Sequence, residues 1–264
     1  MNLSIWRRTV STLAVERALI ILKYVASSHE GLGVREIAKK FGYSPSVVQK
    51  ILQALAAHDF VLQESDSQVY QLGPAALQVG LSGLSKMEIR KATKPFLQKL
   101  AEKSGETALL GVKTNEGVIY IEKCLSPNAI RMDPPIGAFR PFNSTAVGKC
   151  LLAEKSEDEI ENLFKENYFV KSTRHSLIAL EEIKQEIRIV REQGYALDRE
   201  EYEEGAMCVG APIKNFENQI IAAIAVAGPA TRMVHNEDKL IQNVLNYAKQ
   251  ISMAFGNTEN GIIT

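Results

Sequence analysis

No stretch of this chain stays apolar for the ~20 residues a membrane helix requires, and its first residues lack the apolar core of a signal peptide. A cytoplasmic protein with no membrane partner is therefore expected. Cysteine is scarce: Cys124, Cys150 and Cys208 stand far apart, without a Cys-x-x-Cys pair or an adjacent histidine, which argues against a disulfide framework or a zinc site and leaves three reduced thiols. His29, His58, His175 and His235 are equally scattered and read as surface or structural residues. Also missing are the Gly-x-Ser-x-Gly nucleophile elbow, the Gly-x-Gly-x-x-Gly dinucleotide turn and the His-Glu-x-x-His metal helix. Gly148-Lys149-Cys150 resembles the end of a phosphate-binding loop, but Asn143 stands where the first glycine belongs and no Ser or Thr follows Lys149. No catalytic constellation and no resident cofactor is indicated. Repeats and low-complexity segments are absent as well.

Net charge is absent too, with 31 basic and 31 acidic residues, which by itself speaks against a nucleic-acid binder. Its distribution reverses that reading. Residues 1–50 carry eight basic side chains, Arg7 and Arg8 among them, against three acidic ones, a balance of 8 − 3 = +5; residues 154–204 carry eight basic against fifteen acidic, a balance of 8 − 15 = −7. A basic front and an acidic rear suit a molecule that meets DNA at one end only. The 264 residues, 45% of them hydrophobic, suffice for roughly two domains.

Within the basic front, residues 34–51 read VREIAKKFGYSPSVVQKI. Ile37, Ala38, Phe41, Gly42, Val48 and Ile51 fall at the spacing of a helix-turn-helix, whose steep crossing needs a small residue at the contact and a permissive backbone in the turn. Gly42 is placed to end the first helix in a left-handed conformation, and Ser44-Pro45 to start the second as N-cap and first helical residue. Ser46, Gln49, Lys50 and Gln53 are left on the outer face of the second helix, where base edges would be met. With Ser44 at its start, these are the candidate DNA contacts, and Arg35, Lys39 and Lys40 are candidates for positioning on the phosphate backbone. A double-stranded operator is the expected partner. Ahead of the motif, Val15, Ala18, Leu19, Leu22, Val25 and Ala26 mark one apolar face of a helix over residues 13–28. Behind it, Phe60 to Glu64 and Gln68 to Leu72 alternate around Ser65-Asp66-Ser67, which predicts a hairpin wing that supports the fold and offers phosphate little, since it carries Glu64 and Asp66 and no Lys or Arg.

After Gly73-Pro74 the pattern predicts a linker helix, then a helix over residues 87–103 that Pro95 kinks or restarts. The stretches TALLGVK, GVIYIEKC and NAIRMD read as strands, residues 144–153, 156–165 and 180–193 as helices, then GYALDREE, AMCVGAPIKN and QIIAAIAVAGP as strands before a closing helix. Strands on either side of a helical insert predict an α+β domain with an antiparallel sheet. Two segments could carry a site. In GAFRPFNSTAVGKCLLA, Asn143 or Ser144 caps a helix whose first amides would attract an anion, which is also what any helix cap provides. In GYALDREEYEEGAMCVGAPI, Asp198 follows an apolar alternation and could point inward, Cys208 reads first as a small buried residue, and the glutamates 200, 201, 203 and 204 read as a solvated loop.

Taken in order, ERALIIL in the first helix, YQLG at the end of the wing, PFNSTAVGKCLLA, GYALDREEYEEGAMCVGAPI and AVAGP resemble the IclR family of bacterial transcriptional regulators over nearly the whole chain. The resemblance implies a winged helix-turn-helix over residues 1–73, a linker helix over 74–86 and a GAF-like effector-binding domain over 87–264. It implies homodimers or homotetramers on partly palindromic operators of catabolic genes, acting most often as repressors. Effector binding would shift two DNA-binding heads through the linker helix. The implied effector is a small organic, sugar or aromatic acid, its carboxylate received by the amides around Ser144, Thr145 and Ala146, with Asp198 and Cys208 on the far side. Serines common in relatives that bind very small oxo acids are replaced by Ala225 and Ala227, and a common histidine by Asn143. This implies a roomier, less polar pocket for an acid larger or less polar than glyoxylate or pyruvate. Two other readings stay open: an enzyme acting on a small carboxylate through Asp198 or Cys208, and a metabolite sensor that does not bind DNA.

Overall fold

The computed structural model describes residues 12–28, 30–64 and 67–257. Arg7, Arg8, His29 and the Ser65-Asp66 part of the expected wing turn lie outside them. The chain divides into two compact units, one ending at Lys86 and the other beginning at Met87.

In the first unit α1 (Leu13–Ala26), α2 (Val34–Phe41) and α3 (Pro45–Ala57) precede β1 (Val61–Gln63), β2 (Tyr70–Leu72) and α4 (Pro74–Ser85). Gly42 adopts φ +66° and returns its N–H to the Ala38 carbonyl, a conformation that costs a residue without a β-carbon least. Two residues on, the Ser44 hydroxyl accepts from the Val47 N–H and Pro45 opens α3, so the turn forms as its local chemistry dictates. Ile21, Val25, Ile37, Ala38, Val48, Leu52, Val61 and Tyr70 form the core. At ~1.5–3 kcal/mol for each large side chain, its burial is what holds three short helices together. The strands pair antiparallel, Val61 opposite Leu72, and Tyr70 also bridges Leu32. The apolar face expected for α1 is corrected: Ile21 and Val25 are its buried residues, whereas Leu13, Val15, Leu19 and Ile20 are exposed. The apolar stripe is wider than the small core can cover.

The second unit is built on a six-stranded antiparallel sheet. Its elements are α5 (Glu88–Ser104), β3 (Thr107–Lys113), β4 (Val118–Cys124), β5 (Phe139–Arg140), α6 (Ala146–Leu152), α7 (Glu157–Lys165), α8 (Leu180–Gln193), β6 (Ala196–Arg199), β7 (Ala206–Lys214), β8 (Ile220–Pro229), α9 (Ala230–Val234) and α10 (Glu237–Ala254). The strand order is β5-β4-β3-β8-β7-β6. Side chains alternate across a strand, so β8 sends Ala223, Ala225 and Ala227 into one cluster with α6, α7 and α8, and Ile224 and Val226 to the opposite face. With the winged helix-turn-helix this is the α+β architecture expected.

Three local expectations fail for physical reasons. Helix α5 does not restart at Pro95 but runs on through it, with Arg90 tied to the Ile121 carbonyl and Glu122 before it and Leu97, Leu100 and Ala101 buried after it. Residues 128–133 are not a strand: the Met132 carbonyl accepts from the Thr107 hydroxyl and the Ile130 carbonyl from Arg232, and the edge of the sheet beyond β4 is the short β5 instead. The cap of α6 is neither Asn143 nor Ser144 but Thr145, whose hydroxyl accepts from the Gly148 N–H at 3.1 Å.

Candidate nucleic-acid interface and ligand cavity

On α3, Ser46, Lys50 and Gln53 are exposed, and the Ser44 hydroxyl lies 3.2 Å from that of Ser46. Gln49 is half-buried and its amide donates to the Tyr70 hydroxyl at 3.2 Å. Arg35 opens α2 and Lys39 and Lys40 close it, all exposed, the latter two where a helix C-terminus favours positive charge. Among the described residues none of Arg35, Lys39 and Lys50 pairs with a carboxylate, so their charge is free for an external anion; Lys40 rests 5.9 Å from the Tyr24 ring. The Leu52 side chain, absent from the sequence reading, is fully buried on α3 alongside Val48, while Ile51 is only half-buried.

The second unit contains a partly open cleft of about 40 Å³. Its floor is one register row of the sheet: Asp198 on β6 faces Cys208 on β7, which faces Ala227 on β8. Directly opposed residues share a face, so all three side chains enter the cleft. The next row, Gly210 and Ala225 with Leu109 of β3, lies under the start of α6, where a β-carbon on Gly210 would come within 3.1 Å of Ala146. Thr145, Asp198, Cys208 and Ala227 therefore line the cleft, whereas Asn143, Ser144, Ala146 and Ala225 do not. Asn143 is spent on structure: its amide donates to the carbonyls of Val170 and Leu177 and its oxygen accepts from the Val170 N–H.

Sequence reasoning missed the charge network behind this row. Lys149, 2% exposed, donates to Glu201 at 2.6 Å, Glu186 at 3.0 Å and the Leu197 carbonyl at 2.7 Å. Glu201 is thus buried rather than solvated, because a lysine buried on α6 requires a partner. A turn with Glu200 at φ +60° delivers it, the Glu201 N–H donating to Asp198 Oδ1 at 2.8 Å. Burial pushes the Asp198 carboxyl up to about 7, opposed chiefly by that N–H. Burial, then Asp198, holds the Cys208 thiol well above its ordinary range. Such a thiol is a weak nucleophile, which removes the physical basis for an enzyme acting through Cys208. Arg140, Tyr120 and Tyr202 complete the cleft, and no local signal marked any of them.

Among the described residues no cluster of His, Cys, Asp and Glu is arranged to hold a metal ion, and no helix is long and apolar enough to cross a membrane. A winged helix-turn-helix with unpaired cations, together with a separate sheet unit that carries a polar-floored cleft, defines a DNA-binding regulator with a sensory domain. Residues 14–65 match the family model described as the IclR helix-turn-helix domain and residues 81–253 that of the bacterial transcriptional regulator IclR C-terminal domain. Over 241 residues the chain is 31% identical to the HTH-type transcriptional regulator XynR of Escherichia coli (strain K12), covering 91% of this chain and 94% of that one. It is 29% identical over 246 residues to the HTH-type transcriptional repressor AllR of Salmonella typhimurium, covering 92% and 90%. The solved IclR of Thermotoga maritima superposes with a TM-score of 0.60 at 28% identity, covering 92% of this chain and all of that one. The chain belongs to the IclR family of bacterial transcriptional regulators. It is a DNA-binding regulator and not an enzyme.

Proposed function

We propose that the protein is a metabolite-responsive repressor of a catabolic operon, working as a homodimer or homotetramer, and that its effector is a small carboxylate bound in the cleft over Asp198, Cys208 and Ala227. The observation that carries this reading is the cleft itself, a partly open space lined by apolar groups at Leu109, Met132 and Pro134 and by a few polar groups at Thr145, Asp198 and Cys208. AllR is a repressor by name, which supports the same role here. With a methyl group rather than a hydroxyl at Ala227 in the lining, and at Ala225 in the row beneath α6, the cleft suits an acid larger or less polar than glyoxylate or pyruvate. DNA contact is assigned to Ser44, Ser46, Gln49, Lys50 and Gln53, with Arg35, Lys39 and Lys40 on the phosphates. Control requires only that the acid favour one arrangement of the DNA-binding heads over another.

A mobility-shift titration on the DNA upstream of the flanking genes tests this, with and without a library of organic, sugar and aromatic acids. One class of acid is expected to release the shifted band at fixed salt. Intact DNA binding that no acid in the library alters would overturn the effector assignment.

A further inference from the structure

The cleft contains one cation, and it sits at the end of the shortest strand. Arg140 closes β5, and its guanidinium lies 4.7 Å from the Tyr202 ring centroid and 5.7 Å from that of Tyr120. Two rings within cation–π distance restrain a guanidinium and leave its edge donors free. Among the described residues no carboxylate forms an ion pair with it, and its one hydrogen bond goes to the carbonyl of its own neighbour Phe139. Asp198 does not serve as its counter-ion, since Asp198 Oδ1 is bound to the Glu201 and Tyr202 N–H groups. A guanidinium that lines a partly open, largely apolar cleft without a counter-ion is complementary to a carboxylate, which it meets through two parallel N–H···O bonds.

The rest of the polar lining has the reverse polarity. Asp198 and Glu203 line the same cleft, as does Thr145. A second carboxylate brought there would face two acidic groups, whereas a hydroxyl would find acceptors. Resting on the effector reading above, we propose that Arg140 is the specificity residue that binds the effector's single carboxylate and that the effector's hydroxyl groups face Asp198 and Glu203, so that the ligand is a hydroxy acid and not a diacid. Charge on Arg140, rather than the amides of the short helix α6, then anchors the acid. The Thr145 hydroxyl already occupies one of those amides, that of Gly148.

The test is calorimetric titration of the full chain with a library of simple hydroxy monoacids, unsubstituted monoacids, diacids and the neutral amides of the hydroxy acids. The strongest ligands are expected among the hydroxy monoacids. Their amides and the corresponding diacids should bind roughly tenfold or more weaker, the difference expected for a charge-assisted bidentate contact. Arg140→Leu should lose a similar factor for the acid and a clearly smaller one for the amide, and Arg140→Lys should retain part of the acid's affinity. Unchanged acid binding in Arg140→Leu, or diacids that outbind hydroxy acids, would overturn this assignment while the carboxylate reading stood. If no acid of any class bound the unaltered protein, both would fall together.

Discussion

The amide of Gln49, on the helix expected to enter the DNA groove, donates to the hydroxyl of Tyr70 on the wing, 3.2 Å away and 21 residues later in the chain. Tyr70 is almost fully buried, so its hydroxyl acts as a fixed post against which a half-exposed glutamine is held. Tyr70→Phe should cost about 1 kcal/mol in stability and release that amide, altering operator preference from a position that does not face DNA. Gln49→Ala should alter preference as well. In a double-mutant cycle the two should be non-additive; binding energies that simply sum would show that the contact plays no part in recognition.

Lys39 and Lys50 are exposed and free of carboxylate partners, so their contribution should be electrostatic and indifferent to sequence. Either residue changed to Ala should weaken binding to specific and random duplexes alike and lower the slope of log affinity against log salt by about one. Fluorescence anisotropy across a salt series measures it. An unaltered slope would remove the lysines from the interface.

The pH dependence of Asp198 has a definite sign. Unfolded, the carboxyl ionises near its ordinary value of 3.8; folded, it ionises at about 7. Between those values the native state holds a proton that the unfolded chain has lost, so its contribution to stability falls as pH rises through this window and stays low above it. Asp198→Asn keeps the Oδ1 acceptor for the Glu201 N–H and cannot ionise. It should raise the melting temperature at about pH 8, with the gain gone by about pH 4. A variant that is less stable than the parent at both values would contradict this account.

Lys149 illustrates the opposite cost. Lys149→Met leaves the Glu201 carboxylate buried without its cation and should destabilise the second unit by about 3–5 kcal/mol. Adding Glu201→Gln should recover a good part of that loss in chemical denaturation. A double variant as unstable as the two losses added together would mean that the pair is not coupled.

Ala225→Ser and Ala227→Ser together return two hydroxyls to the strand beneath the cleft. Affinity for glyoxylate or pyruvate should rise and affinity for larger acids fall. Because Ala227 lines the cleft and Ala225 lies under α6, the single change at Ala227 should account for most of the shift. Equal effects from the two single variants would place the ligand elsewhere.

What the sequence made legible was whatever short-range chemistry decides. Gly42 and Ser44-Pro45 bound the turn between α2 and α3 through their own backbone preferences, and the residues of α8 carry a period that tertiary contacts did not override. What it concealed depends on partners far along the chain. Glu201 stands in a glutamate-rich run that looks solvated, and only a lysine 52 residues earlier draws it inside. Arg140 and Tyr202, 62 positions apart, carry no mark of their shared cleft until the sheet closes. Asn143 looks like a cap and a ligand contact, yet loops 27 and 34 residues downstream consume it.

Gly210 carries no side chain, and α6 settles onto the sheet at that spot. The roof of the sensory chamber is therefore set at the least height the backbone permits. A single methyl there would ask the start of α6 to give way by a few tenths of an ångström, so the seating of that helix over the sheet is set from a position outside the cleft lining.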